Sequence, residues 1–367
     1  MSKRPGLERC SHRAAKRPAQ RQQQYLYLVL DDWERGYSVH RVDLQQQQQD
    51  DTDNDDDAHL DTNPPLVRLE VQHVVSWSFA THGTKILAMQ PSAASPAIPG
   101  FDTETLAVTV CPWPQSRGTF RKPLFASVGD RLFAMVSPCF DVLGAPPPPD
   151  SETPWSWTSL AAGSSTPPFP SDCATCHVFH ADGRTMFVSA KHWRSQLSYG
   201  DRSSTFSFDT ERLEWRRHGE WLLPFRGQAY YDADLDAWVG LCREKEGAGY
   251  LCFCDVPPAA AECKNPPPWK LGEDRLFRAD SGRHRGAKLL SMGGSSSRYC
   301  LVECVAHRDE ERLGCPRRRV LHITTFRLKY DKHGRLRTTG NHTHPSKLYK
   351  VAHKLNEPIL DPVAFWI

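Results

Sequence analysis

Phe79-Ala80-Thr81-His82-Gly83-Thr84-Lys85-Ile86-Leu87-Ala88-Met89 reads as a strand, a tight turn at Gly83 and a more apolar strand. The pattern returns as Phe125-Ala126-Ser127-Val128-Gly129-Asp130-Arg131-Leu132-Phe133-Ala134-Met135 and as Phe179-His180-Ala181-Asp182-Gly183-Arg184-Thr185-Met186-Phe187-Val188-Ser189. A fourth copy, Ala229-Tyr230-Tyr231-Asp232-Ala233-Asp234-Leu235-Asp236-Ala237-Trp238-Val239, keeps the turn with Asp in place of Gly. Gly supplies the positive φ of a hairpin turn at little steric cost, and Asp tolerates it. A sequence that repeats itself at this scale fixes an architecture before any single element does.

A second half-repeat follows the first. Phe101-Asp102-Thr103-Glu104-Thr105-Leu106-Ala107-Val108 and Phe208-Asp209-Thr210-Glu211-Arg212-Leu213-Glu214-Trp215 are near copies, each an aromatic strand end, an Asp, a polar turn and a new strand. Asp102 and Asp209 can bond nearby backbone amides, ending one strand while starting the turn. Phe140-Asp141-Val142 and Cys254-Asp255-Val256 read as degraded versions. Phe79 to Phe125 spans 46 residues and Phe125 to Phe179 spans 54, within the range of propeller blades. Adding a first segment at 25 to 70 and a last at about 287 to 340 gives six units of roughly 50 residues. The expectation is therefore an all-β chain folded as one six-bladed β-propeller over residues 25 to 367, with a disordered N-terminal tail.

Two strand patterns open that region, Tyr25-Leu26-Tyr27-Leu28-Val29-Leu30 and Tyr37-Ser38-Val39-His40-Arg41-Val42. The segment Asp361-Pro362-Val363-Ala364-Phe365-Trp366-Ile367 is apolar and must be covered. The strand near Tyr25 to Leu30 is expected to share a blade with it, because such closure removes free sheet edges.

Composition agrees with a soluble, core-forming protein. Of the 367 residues, 39% are apolar and 24% charged, while 29 prolines disfavour long helices. The formal charge of +3 hides two opposed blocks. Residues 1 to 24 hold Lys3, Arg4, Arg9, Arg13, Lys16, Arg17 and Arg21 against Glu8, and are too poor in apolar side chains to fold. Residues 45 to 63 join five glutamines to an acidic run and read as a disordered surface loop. No apolar run approaches the roughly 18 residues of a membrane span, and no export signal is evident. The twelve cysteines are accordingly expected as free thiols, many buried. Asn341-His342-Thr343 matches a glycosylation acceptor, which has no meaning outside a secretory compartment.

The strings Phe101 to Trp113, Phe208 to Trp221, Gly227 to Cys242 and Trp269 to Phe277 resemble those of a cereal-grass family known only as a domain of unknown function. The resemblance spans nearly all of Tyr25 to Ile367 and brings no activity, substrate or catalytic residue. More loosely, the chain is similar to kelch propellers, in which an aromatic-Asp turn and a Trp-bearing strand recur. It departs from them where paired glycines would stand, at Ala88-Met89, Ala134-Met135 and Ser189-Ala190. Kelch-like proteins of plants are often joined to an F-box that recruits a ubiquitin ligase. Residues 1 to 24 are too short and polar for such a module, so a ligase-adaptor role would need a partner.

Candidate chemistry is sparse. Cys173-Ala174-Thr175-Cys176-His177 matches the c-type haem attachment pattern, but it runs straight into a repeat strand and lacks a second axial ligand. Strand or loop thiols are the better reading, since one Cys pair is also short of the four ligands of structural zinc. Cys242, Cys252 and Cys254 could gather on adjacent strands, with Cys263 beyond, and buried free cysteines are expected there over a metal. His342 and His344 read as a solvated loop beside Gly340 and Pro345, and Pro316-Arg317-Arg318-Arg319 as another. No G-x-S-x-G or phosphate-binding loop is present, and Gly293-Gly294-Ser295 is a turn signal. Lys3, Arg4, Lys16, Arg17 and Arg21 are spaced like a bipartite nuclear import signal.

The expected function is a non-catalytic protein-binding scaffold, monomeric, cytoplasmic or nuclear, with no cofactor, no catalytic or metal residues and no membrane partner. An enzyme or small-molecule binder with a polar or metal site in the propeller channel is the first alternative. Nucleic-acid binding through the basic tail is the second, and is not favoured.

Overall fold

The computed structural model describes residues 24–44, 64–70, 78–89, 97–114, 123–148, 150–160, 163–192, 202–279, 281–294, 297–311, 317–352 and 361–367. The basic tail, except Gln24, and the Gln/Asp-rich loop 45–63 lie outside the described residues.

The described residues are all-β and form six four-stranded antiparallel units, of which the fourth and fifth are the halves of one eight-stranded sheet. The first contains β1 (Leu26–Trp33), β2 (Gly36–Val42) and β3 (Val67–Glu70). The second is β4 (Ser78–His82), β5 (Lys85–Met89), β6 (Ile98–Asp102) and β7 (Val108–Cys111). The third is β8 (Leu124–Val128), β9 (Arg131–Val136), β10 (Cys139–Leu143) and β11 (Trp157–Ser159). The fourth is β12 (Ala174–Phe179), β13 (Thr185–His192), β14 (Arg202–Asp209) and β15 (Glu214–Gly219). The fifth is β16 (Phe225–Asp232), β17 (Ala237–Cys242), β18 (Tyr250–Cys254) and β19 (Trp269–Arg275). The sixth is β20 (His284–Ser291), β21 (Arg298–Ala306), β22 (Arg318–Tyr330) and β23 (Leu336–Lys350). The last strand, β24 (Val363–Trp366), returns to the first unit, whose order is β24-β1-β2-β3.

Local chemistry explains the hairpins. Gly83-Thr84 and Gly129-Asp130 close two-residue turns, and both glycines have φ of +57°, as the repeat demanded. In the second half-repeat, Asp102 Oδ1 accepts from the amides of Glu104 and Thr105 at 3.0 and 3.2 Å. Asp209 Oδ1 does the same for Glu211 and Arg212 at 2.9 and 3.0 Å. Thr103 and Thr210 each donate a hydroxyl to the previous hairpin, to the Thr84 carbonyl at 2.8 Å and the Arg184 carbonyl at 2.7 Å. Leu106 and Leu213, at matching positions, share a left-handed φ of 57° and 60°. The motif is thus one repeated turn.

The third copy differs from its reading. Phe179 ends β12 instead of opening the hairpin, and the turn runs from 180 to 184. Asp182 organises this longer turn by accepting from the amides of Arg184 and Thr185 at 2.9 and 2.8 Å. The fourth copy turns at Asp236, with φ of 47°.

The core is divided between units. Five apolar clusters each join two consecutive units, and a sixth joins the last unit to the first. Phe133 and Phe140 of the third unit, for example, pack on Phe208 of the fourth at centroid distances of 5.6 and 5.0 Å. Each such ring, fully buried, is worth about 1.5–3 kcal/mol in hydrophobic transfer. Indole N–H groups add directional links, because a buried Trp needs an acceptor. Trp157 donates to the Pro112 carbonyl at 2.8 Å, Trp238 to Phe179 at 3.1 Å and Trp366 to Met292 at 2.9 Å, each across a unit boundary.

Two loop readings are corrected. His342 and His344 lie on β23, opposite Thr325 and Ile323. The long partner strand β22 templates the pairing, and register shifts absorb the awkward Gly340 and Pro345. Arg319 is not solvated: it is 4% exposed and its Nη1 stands 3.7 Å from Asp31 Oδ2. Strand alternation points it inward while Arg318 pairs with Asp309 and Glu310 at the surface.

Candidate functional site

The first strands of the fourth, fifth and sixth units run side by side, with β24 next. β12 and β16 pair in parallel, placing Cys176 opposite Gly227 and His177 opposite Gln228. The Tyr230 hydroxyl on β16 donates to the Leu289 carbonyl on β20 at 3.0 Å. Lys288 on β20 holds its Nζ 4.7 Å from the ring centre of Phe365 on β24. At one end Arg226 Nη2, on β16, meets Asp361 Oδ1, just before β24, at 3.2 Å.

This row gathers polar groups where the surrounding strands are apolar. His177, Gln228 and Lys288 are half-buried. Burial holds the His177 imidazole down near a pKa of about 4, with the Lys288 charge adding to it, so the ring is neutral at pH 7. Burial also lowers the Lys288 ammonium to about 8, against a weaker upward pull from Asp361. The three residues stand on neighbouring strands, His177 beside Gln228 across the β12–β16 pair, and each is partly open to solvent. Such convergent polar groups among apolar walls are what a small-ligand site requires.

Other sequence candidates are placed differently. Cys176 is buried in β12 with its thiol raised by burial to about 11, and Cys173 sits just before that strand, half-buried. Cys242, Cys252 and Cys254 do gather, on β17 and β18, in the cluster shared with Cys176. A hydrogen bond from Cys252 draws the Cys242 thiol down to about 7 despite burial, while burial drives Cys252 far up. Cys263, half-buried, packs against the same cluster, its thiol donating to the Ala261 carbonyl at 3.8 Å. The ten described cysteines are free thiols, and the described residues contain no cluster of three or more metal-ligating side chains. His344 Nε2 contacts the Thr325 hydroxyl at 3.2 Å, while His342 is exposed. Gly293 and Gly294 form a turn with φ of 65° and 83°. Lys3, Arg4, Lys16, Arg17 and Arg21 lie outside the described residues, as does Pro316.

Sequence reasoning noticed His177 for the wrong chemistry and missed Lys288, Gln228, Arg226 and Asp361. A lone lysine inside Gly286-Ala287-Lys288-Leu289-Leu290 was the available signal.

A second feature is on the outside. β7 is the outermost strand of its sheet, and Val108 and Val110 on one of its faces are 62% and 65% exposed. Leu106, in the strained turn before them, is 55% exposed. Among the described residues, no helix is long and apolar enough to cross a membrane.

No curated protein matches the chain. Among solved structures, it is similar to a protein described as a 6-phosphogluconolactonase from Bacteroides uniformis, at 13% identity and TM-score 0.45, covering 87% of this chain and 83% of that one. A chain of a nidogen/laminin complex matches at 9% identity and TM-score 0.43, covering 93% of this chain and 98% of that one. The WD40 domain of Neurospora crassa Pan2 matches at 9% identity and TM-score 0.33, covering 73% and 69%. At the level of sequence, the model of the family described as "protein of unknown function (DUF1668)" matches residues 23–345, and the chain belongs to that family.

Proposed function

We propose that the chain is a non-catalytic protein-binding scaffold folded as a six-bladed kelch-like β-propeller. The blade count is supported by four four-stranded sheets and one eight-stranded sheet whose halves meet at the parallel β12–β16 pair, by six clusters shared between neighbouring units, and by the pairing of β1 with β24. The observation that carries the binding role is the outer edge at β7. An edge strand with exposed β-branched side chains is a template for an added strand, and soluble proteins normally blunt it with charge or proline. Here Val108 and Val110 are left open instead. The partner is then a protein offering an extended apolar segment, bound by a monomeric scaffold in the cytoplasm or nucleus, the latter reached through the basic tail.

Proximity labelling in cells, comparing the full-length chain with a Val108→Lys/Val110→Lys variant, tests this. A reproducible partner set that the variant loses supports the reading. A set kept by the variant removes β7 as the surface, and the absence of any enriched protein overturns the scaffold.

A further inference from the structure

We infer that the row of half-buried polar side chains on β12, β16 and β20, bordered by β24, is a binding site for a small organic carboxylate, its head on Lys288, His177 and Gln228 and its apolar body against Phe365. The site is separate from the β7 edge and stands whether or not a protein docks there.

Lys288 is a half-buried cation, and among the described residues no carboxylate lies within ion-pair distance of it. Asp361 acts on it only from further off and is itself bound to Arg226 at 3.2 Å. Its close neighbour is the Phe365 ring, a weak partner for an ammonium compared with a carboxylate. A desolvated charge without a counter-charge is costly, and an incoming anion relieves that cost.

Charge selects the ligand class. Lys288 and Arg226 are positive, Asp361 is negative and His177 is neutral at pH 7, which leaves one positive charge to satisfy. A carboxylate supplies one negative charge. A phosphate ester, with about −1.5 to −2 at pH 7, would overshoot and face Asp361. His177 and Gln228, adjacent in register across β12 and β16, offer neutral donors for carboxylate oxygens that Lys288 does not take. Phe365 and the half-buried Tyr230 give the apolar part a surface.

The test is calorimetric titration of the full chain at pH 7 with benzoate, with neutral benzamide, and with inorganic phosphate. Benzoate should bind saturably, benzamide and phosphate at least roughly tenfold more weakly, and Lys288→Met should cost benzoate a similar factor. In parallel, reductive methylation read by peptide mass spectrometry should show Lys288 of the unaltered protein protected by benzoate and not by benzamide. Equal binding of benzoate and benzamide, tighter binding of phosphate, an unchanged affinity in Lys288→Met, or no saturable binding at all would each overturn the proposal. Should Lys288→Met fail to fold, the protection measurement decides, and unprotected Lys288 counts against the site.

Discussion

Leu26 in β1 lies directly opposite Trp366 in β24, so residues 340 positions apart share one antiparallel ladder. Ala364, two positions before Trp366, is fully buried against Leu28. Ala364→Asp places an unpaired carboxylate there and should cost at least about 3 kcal/mol, measured by urea unfolding, because a buried lone charge has no compensation. Because the cluster at this seam joins the first and sixth units, the loss should appear in the global transition and not as local fraying.

Asp102→Ala and Asp209→Ala each remove a carboxylate that holds two backbone amides, and each should cost about 2 kcal/mol in the same measurement. Asp102 also gives a pH signature. Burial raises its pKa, but Lys85 at 2.8 Å, the amides of Thr105 and Glu104, and the Thr84 hydroxyl together hold it down at about 2. Its folded value is below the usual 3.8, so its contribution is complete above pH 4 and is lost as pH falls towards 2. The stability gap between the parent chain and Asp102→Ala should therefore close over that window.

At Lys288 the pH slope has the same sign, but the charged form is the one that burial disfavours. Its folded pKa of about 8 is below the usual 10.5, so the unfolded chain binds more protons between those values and stability rises with pH there. The charged group acting on it is Asp361, ahead of β24 and itself paired with Arg226, while His177 on β12 is neutral at pH 7. Lys288→Met should raise the melting temperature at pH 7, and the advantage should shrink as pH rises from 8 to 10.5. A constant advantage, or none, would mean that the ammonium is well solvated.

At the β7 edge, Val108→Lys and Val110→Lys alter side chains that the fold leaves mostly in water. The double variant should unfold within about 0.5 kcal/mol of the parent, since surface changes away from packing are nearly neutral. Self-association at high concentration, measured by light scattering, should fall, because charge on an exposed edge discourages strand addition.

Much of the fold was legible because its signals are local. Gly83, Gly129, Asp102 and Asp209 fix turns through their own neighbours, and a turn copied along the chain announces a repeated unit. The third hairpin slipped because Asp182 builds a longer turn that spacing alone does not reveal. Arg319 and the His342–His344 segment were misread for a related reason: their setting comes from Asp31 and from β22, and hydrophobic pattern carries no information about such distant partners. The candidate site was the least legible part. His177, Gln228, Lys288 and Phe365 come from four strands spread over nearly 190 residues, and only the packing of successive units brings them together.

The ring itself is the claim on which the rest depends, and an electron-density map of the crystallised full chain tests it most directly. The account predicts six four-stranded blades around one axis, with β24 innermost in the blade that also holds β1, β2 and β3. Five or seven blades, or sheets that do not close between the sixth unit and the first, would contradict it.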